Sequence, residues 1–171
     1  MSPRTKIQNT EVRETRRKEI LLSALEWFSK DGYHKTRIEN IARKAGISKG
    51  LIYTYYNSKE ELLKALIVFG LKDLEQYIQI PDKETIAKED LINLINNVFE
   101  MFLKNQNFWK LYSSIIAQTD VMAIVSEEIK TMAQSQMKLF EGLMEKTGSI
   151  SPKEDAYILG AIFDGISFHY H

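Results

Sequence analysis

Cysteine is absent from this chain. That excludes a disulfide framework, thiolate nucleophiles and cysteine metal ligands, and it fits a reducing compartment such as the cytoplasm. Proline occurs only three times in 171 residues. With helix-forming composition throughout, so few breakers point to an all-α protein. No apolar run approaches the roughly 18 residues needed to cross a bilayer, and the charged start, from Arg4 onward, carries no apolar signal segment. Histidine is scarce: His34, His169 and His171. His169 and His171 are two apart and point to different sides of a helix, so they make no metal pair. There is no glycine-rich phosphate loop and no His-Glu-x-x-His motif. The carboxylates are scattered along helix faces as solvated charge. Neither catalytic residues nor a metal or cofactor site is expected, and the chain does not read as an enzyme.

The formal net charge is zero, but its distribution is lopsided. Residues 1–59 hold 13 Lys/Arg against 6 Asp/Glu, a net of +7, and the remainder holds 10 against 17, a net of −7. A basic end joined to an acidic body suits a protein that binds nucleic acid through the first and keeps the second off it.

The basic end contains the most informative stretch, residues 36–61. Thr36 and Glu39 have capping-box spacing. Ile38, Ile41, Ala42 and Ala45 follow as a helical apolar stripe. Gly46 ends that helix, Ile47 plugs the turn, and Ser48 is placed to cap a second helix. In this second helix Ile52 and Tyr56 face inward. Lys49 and Tyr53 share another face, with Tyr55 near its edge. Ser58 and Glu61 repeat the capping-box spacing and leave Lys59 exposed at the start of a third helix. A short helix with a buried face and a basic, aromatic outer face suits the DNA major groove. A solvated helical hairpin is the plainer account, but start, turn, restart and outward chemistry agree on a helix-turn-helix.

Around this unit, residues 1–11 read as a flexible basic arm, either a free tail or, through Arg4 and Lys6, a contact to DNA. A first helix spans Val12–Asp31, with Ile20, Leu21, Ala24, Leu25 and Phe28 buried and Arg13, Arg16, Arg17 and Lys18 either solvated or near phosphate. A helix over 59–77 reaches roughly 28 Å at 1.5 Å per residue and connects the two halves. Gly70 within it serves bending, close packing or neither. Residues 79–89 form a linker. Further helices follow from about Leu91 to Phe102, over 108–116, from a cap at Asp120 to Thr147, and after Ser151-Pro152-Lys153-Glu154, a strong helix start.

The run Thr36, Ile41, Ala42, Ala45, Gly46, Ile47, Ser48, Lys49, Gly50, Ile52, Tyr53, Tyr55, Tyr56, Ser58, Lys59, Glu60 and Leu62, preceded by Ile20, Ala24, Phe28, Gly32 and Tyr33, resembles the tetracycline-repressor (TetR) family of bacterial transcription regulators. The likeness covers about the first third of the chain. It implies an all-α fold: a three-helix DNA-binding domain (1–58) joined by a long helix to a C-terminal helical ligand-binding and dimerisation domain (59–171).

On that reading the chain is a homodimeric repressor of a palindromic double-stranded DNA operator, released by a small apolar or amphipathic effector. Lys49 donates to guanine, Tyr53 and Tyr55 meet sugar, phosphate or a thymine methyl, Gly50 admits close approach and Leu51 touches a methyl group. Thr36, Arg37, Ser48 and Lys59 fix register on phosphates. Arg37 departs from the small hydroxyl residue usual in the family. It either strengthens phosphate binding or changes the local contact.

The resemblance also implies an effector pocket in the second domain. Phe69, Phe102, Phe108, Trp109, Tyr112, Met132 and Phe140 are its candidates, with core packing as the other account of each. Ala156, Leu159, Gly160 and Phe163 are the candidates for the dimer interface, which in the family uses one more helix than precedes His171. Alternatively, the same fold serves an architectural or cell-division protein that binds DNA and takes no small ligand.

Overall fold

The computed structural model describes residues 6–78 and 80–169, with side chains from Thr10 to Gly165 apart from Gln79. All regular structure among them is helical: α1 (Lys6–Asp31), α2 (Ile38–Lys44), α3 (Lys49–Tyr53), α4 (Lys59–Glu75), α5 (Lys88–Lys104), α6 (Gln106–Ile116), α7 (Thr119–Lys146) and α8 (Pro152–His169). Two differences from the sequence expectation stand out. α1 starts at Lys6, so half of the expected basic arm is helix. The break before α6 is a single residue, Asn105, because its backbone N–H still bonds Met101 O at 3.1 Å. Arg4 and His171 lie outside the described residues.

The chain folds as two compact units. One contains the chain up to Phe69 together with Ser114–Val125, and the other contains Gly70–Ser113 and Ser126 onward. The boundaries fall inside α4, α6 and α7.

In the first unit Ile20, Ala24 and Phe28 of α1, Ile41 of α2, Leu62 and Leu66 of α4 and Val121 of α7 have no exposed surface. Gly32 (φ 80°) ends α1 in the left-handed region that side-chain-bearing residues avoid. The helix-end carbonyls there need partners. The Thr36 hydroxyl lies 2.9 Å from Trp27 O and 2.8 Å from Gly32 O. Gln118 reaches the same place from far along the chain. Its Nε2 donates to Phe28 O (3.3 Å), and its Oε1 accepts from the Tyr33 amide (3.1 Å). Next to it, His34 Nε2 meets Asp120 Oδ2 at 2.9 Å. Asp120, expected as a helix cap, instead sits inside the first turn of α7.

In the second unit the close-packing role for Gly70 is realised. A Cβ at Gly70 would overlap the buried ring of Tyr112, 2.7 Å from Cζ. The aromatic run of α6 forms one cluster with α5. Trp109 lies 4.9 Å from Phe102, 5.1 Å from Phe108 and 5.5 Å from Tyr112 between ring centres. The Trp109 indole N–H points at Met101 Sδ, 2.9 Å away. Away from this cluster, Phe140 of α7 packs on Phe163 of α8 at 5.4 Å.

The expected dimer residues face inward. Ala156, Leu159 and Phe163 are buried, and a Cβ at Gly160 would come within 2.7 Å of Met137 Cε. They are therefore corrected from inter-chain contacts to core of the chain itself. The open face of α8 carries Tyr157, Ile158 and Ile162, of which the first two are 60% exposed. No described helix is long and apolar enough to cross a membrane.

Replacing Gly70 by alanine sets two effects against each other. A mid-helix glycine-to-alanine change gains up to about 1 kcal/mol in helix propensity, while forced overpacking costs about 1–3 kcal/mol. Because the obstructing atoms belong to a buried ring, the clash should win. Gly70→Ala should lower the urea midpoint, and a raised midpoint would show that the Tyr112 ring moves away freely.

Candidate nucleic-acid interface

The geometry of residues 36–59 follows from local rules. α2 closes in a Schellman motif: Ile47 N–H bonds Ala42 O (3.0 Å), Gly46 N–H bonds Arg43 O (3.2 Å), and Gly46 takes φ 66°. Nothing lies within 4 Å of a Cβ at Gly46, so its requirement is conformational alone. Ser48 then caps α3 by accepting the Leu51 amide at 3.2 Å. Ile52 and Tyr56 are buried as expected. Burial raises the Tyr56 phenol pKa above its ordinary value. With these two turned inward, Lys49, Gly50, Leu51 and Tyr53 are left exposed on α3. A Cβ at Gly50 would meet only Ser48 Oγ, at 4.0 Å, so the space over this glycine is open. Arg37 is the exposed N-cap residue of α2.

Two residues expected on this face are used inside the protein. Thr36 is buried, and its hydroxyl faces the end of α1, not the Glu39 amide. The N-cap position belongs to Arg37, whose side chain makes no cap bond. Lys59 is half-buried. Its ammonium donates to Tyr33 O (2.9 Å), His34 O (3.1 Å) and Thr36 O (3.1 Å), and it lies 4.5 Å from the centre of the Tyr33 ring. Three protons meet three carbonyls, so Lys59 is a clamp on the α1–α2 turn and not a free phosphate ligand. Desolvation pulls its pKa below the ordinary lysine value. The second capping box is shifted by one residue. Ser58 Oγ accepts the Glu61 amide (3.0 Å), but Glu61 accepts from the backbone and side-chain nitrogens of Asn57, at 2.7 and 2.8 Å.

The structure adds two features that the sequence pattern did not single out for this face. The Arg13 guanidinium of α1 lies 5.7 Å from the centre of the half-buried Tyr55 ring. Lys49 Nζ pairs with Glu39 Oε1 at 2.5 Å, joining α3 to α2. The hydrogen bond holds the Glu39 pKa below, and the Lys49 pKa above, their ordinary values. Heptad or capping spacing could not reveal a pair ten residues apart across a turn. Only the fixed crossing of the two helices brings it together.

The effector candidates divide between places. Phe102, Trp109 and Tyr112 are buried in one cluster with Phe108 half-buried beside them. Phe140 belongs to the contact with Phe163. Phe69 falls in the first unit, and Met132 is half-buried on α7. Burial pushes the Tyr112 phenol pKa far up.

Comparison with known proteins places this geometry. The family described as "Bacterial regulatory proteins, tetR family" matches residues 20–66, which run from the middle of α1 into α4. The HTH-type transcriptional regulator YhgD of Bacillus subtilis (strain 168), itself uncharacterized, is 30% identical over 146 residues, covering 80% of this chain and 73% of YhgD. The chain belongs to the TetR family. It is a transcriptional regulator by kinship, not an enzyme. Within the family it is also similar to the fatty acid metabolism regulator protein of the same organism, 25% identical over 131 residues, spanning 74% of this chain and 64% of that protein's length. The fold matches the crystal structure of FadR from Bacillus subtilis in complex with stearoyl-CoA, with TM-score 0.63 and 20% identity over 87% of this chain and 84% of that one.

The clamp at Lys59 generates a prediction that separates it from a surface cation. Lys59→Ala should lower stability by about 1–2 kcal/mol, because it strips donors from partly buried carbonyls. Urea unfolding of the variant and parent measures this, and equal midpoints would return Lys59 to the surface.

Proposed function

We propose that the chain is a homodimeric, ligand-responsive repressor acting in the cytoplasm. Residues 1–58 serve as the DNA-binding domain and 59–171 as the regulatory and dimerisation domain. Two helix-turn-helix units sit in successive major grooves of a near-palindromic operator, about 34–36 Å apart. The carrying observation is the face of α3. Lys49, Gly50, Leu51 and Tyr53 are exposed together while Ile52 and Tyr56 satisfy the core behind them. Lys49 donates to guanine. Tyr53 and Tyr55 meet sugar and phosphate, and Arg13 joins Tyr55 at the edge. Arg37 and the Ser48 region fix register on the backbone.

Release follows from a population shift, in which an effector that binds better when the two heads are misspaced lowers DNA affinity. Family kinship supplies the repressing direction. α4, which begins in the first unit and ends in the second, is the connector. The effector class is small and apolar or amphipathic. A relative in fatty acid metabolism and a fold relative solved with stearoyl-CoA make long-chain acyl thioesters the first probes. The apolar open face of α8, with Tyr157, Ile158 and Ile162, supports pairing with a second copy. The packed cluster of Phe102, Trp109 and Tyr112 is the observation that favours the other reading, a DNA-binding protein of this fold without a small ligand.

Selection from random duplex DNA at two salt concentrations tests the proposal. A two-fold-symmetric site should emerge, with affinity falling steeply as salt rises. Lys49→Ala should weaken binding to that site by about 1–3 kcal/mol and broaden base preference at one position of each half-site. A Lys49→Ala protein that selects the parental site with parental affinity would remove α3 from the base-reading role. Trp109→Ala should change the acyl-thioester response if the cluster opens to a ligand. An unaltered titration would assign the cluster to packing.

A further inference from the structure

The Lys49–Glu39 pair sits where a carboxylate is costly. Both side chains are about half exposed, and an exposed ion pair adds little to stability. On a surface that meets a polyanion, Glu39 would lower affinity unless it finds a hydrogen-bond donor there. The phosphate backbone offers none, but base edges in the major groove do: the amino groups of cytosine and adenine.

The spacing of the pair matches those edges. Lys49 Nζ, a donor only, and Glu39 Oε1, an acceptor only, are 2.5 Å apart. In each Watson–Crick pair a keto oxygen and an amino nitrogen lie side by side in the major groove, bonded to each other at about 2.9 Å. In a G·C pair these are guanine O6 and cytosine N4. The ammonium keeps further protons and the carboxylate further lone pairs, so each partner retains capacity for a base after the contact between them.

We propose that Lys49 and Glu39 act as one unit that reads the orientation of a single base pair, Lys49 donating to the keto oxygen and Glu39 accepting from the amino group. Reversing that pair would set an ammonium against an amino group and a carboxylate against a keto oxygen, both repulsive. Guanine is favoured on the lysine side because its N7 gives Lys49 a second acceptor next to O6. Glu39 is then a specificity-determining residue on α2, outside the recognition helix. The Schellman turn at Gly46 and the Ser48 cap fix the two helices so that the pair forms before DNA arrives. This rests on the DNA-binding reading above.

The test uses the full chain and the site recovered by selection, with duplexes carrying that site or the same site with one G·C pair reversed in both half-sites. Binding is followed by fluorescence anisotropy for the parent, Glu39→Gln and Lys49→Ala. The parent should prefer the selected orientation by about tenfold or more. In Glu39→Gln, whose amide both donates and accepts, that ratio should fall at least fivefold while affinity for random duplex stays level or rises. Glu39 is exposed, and equal thermal midpoints of parent and variant would confirm that the fold is untouched. A parental orientation ratio at every G·C position in Glu39→Gln would overturn the proposal and leave Glu39 as a surface ion-pair partner, with the DNA-binding reading intact. If the parent recovers no selected site, the DNA-binding reading itself falls, and this inference falls with it.

Discussion

One ammonium group holds the DNA-binding unit in register. Lys59 stands at the first residue of α4 and donates to Tyr33 O, His34 O and Thr36 O across the α1–α2 turn. That turn must expose backbone carbonyls, because α1 stops at Gly32 and α2 begins only six residues later. Carbonyls beside a packed core need donors, and a lysine with three protons supplies them from one atom. Thr36 and Gln118 finish the same task from other sides, bonding Trp27 O, Gly32 O and Phe28 O. These bonds, together with the buried Ile38, Ile41 and Ala42, hold α2 in place.

The set also decides what the outer surface can offer. A basic residue committed to the interior is unavailable to a phosphate, so the surplus of positive charge in residues 1–59 overstates the cations free to meet DNA. Lys59 is turned inward, Lys44 pairs with Glu26 at 2.8 Å, and Lys49 pairs with Glu39. What remains is a patterned face in which donors, an acceptor and an open glycine are set at fixed places. On the proposed DNA-binding reading, such a face is suited to discriminating between sequences as well as to attracting DNA in general.

The second unit follows a different constraint, that of filling space. Gly70 gives up helix propensity so that the Tyr112 ring can lie on the backbone of α4. Gly160 does the same for Met137, whose flexible end tolerates the contact more easily than a ring would. Around Tyr112 the aromatic residues of α6 pack edge and face against one another, and Trp109 tilts onto Phe102. Met101 closes the cluster with its buried thioether set against the Trp109 indole N–H.

The sequence by itself determined the helices and the turn between α2 and α3. Apolar period, glycine at the C′ position and a serine cap are local signals, and each is realised by bonds within a few residues. The inward positions Ile52 and Tyr56 and the outward positions Lys49, Leu51 and Tyr53 were legible for the same reason. Tertiary structure decided what the polar side chains do. Thr36 and Glu39 have capping-box spacing, yet Thr36 turns back to the carbonyls at the end of α1 and Glu39 to Lys49, because the packing of α1, α2 and α3 brings those partners within reach. Lys59 reads as a surface charge in one dimension and becomes a clamp once α1 ends beside it. Ala156, Leu159, Gly160 and Phe163 read as an interface and are core, because α7 covers that side of α8. Spacing along a chain fixes which side of a helix a residue is on, and only packing fixes what lies opposite.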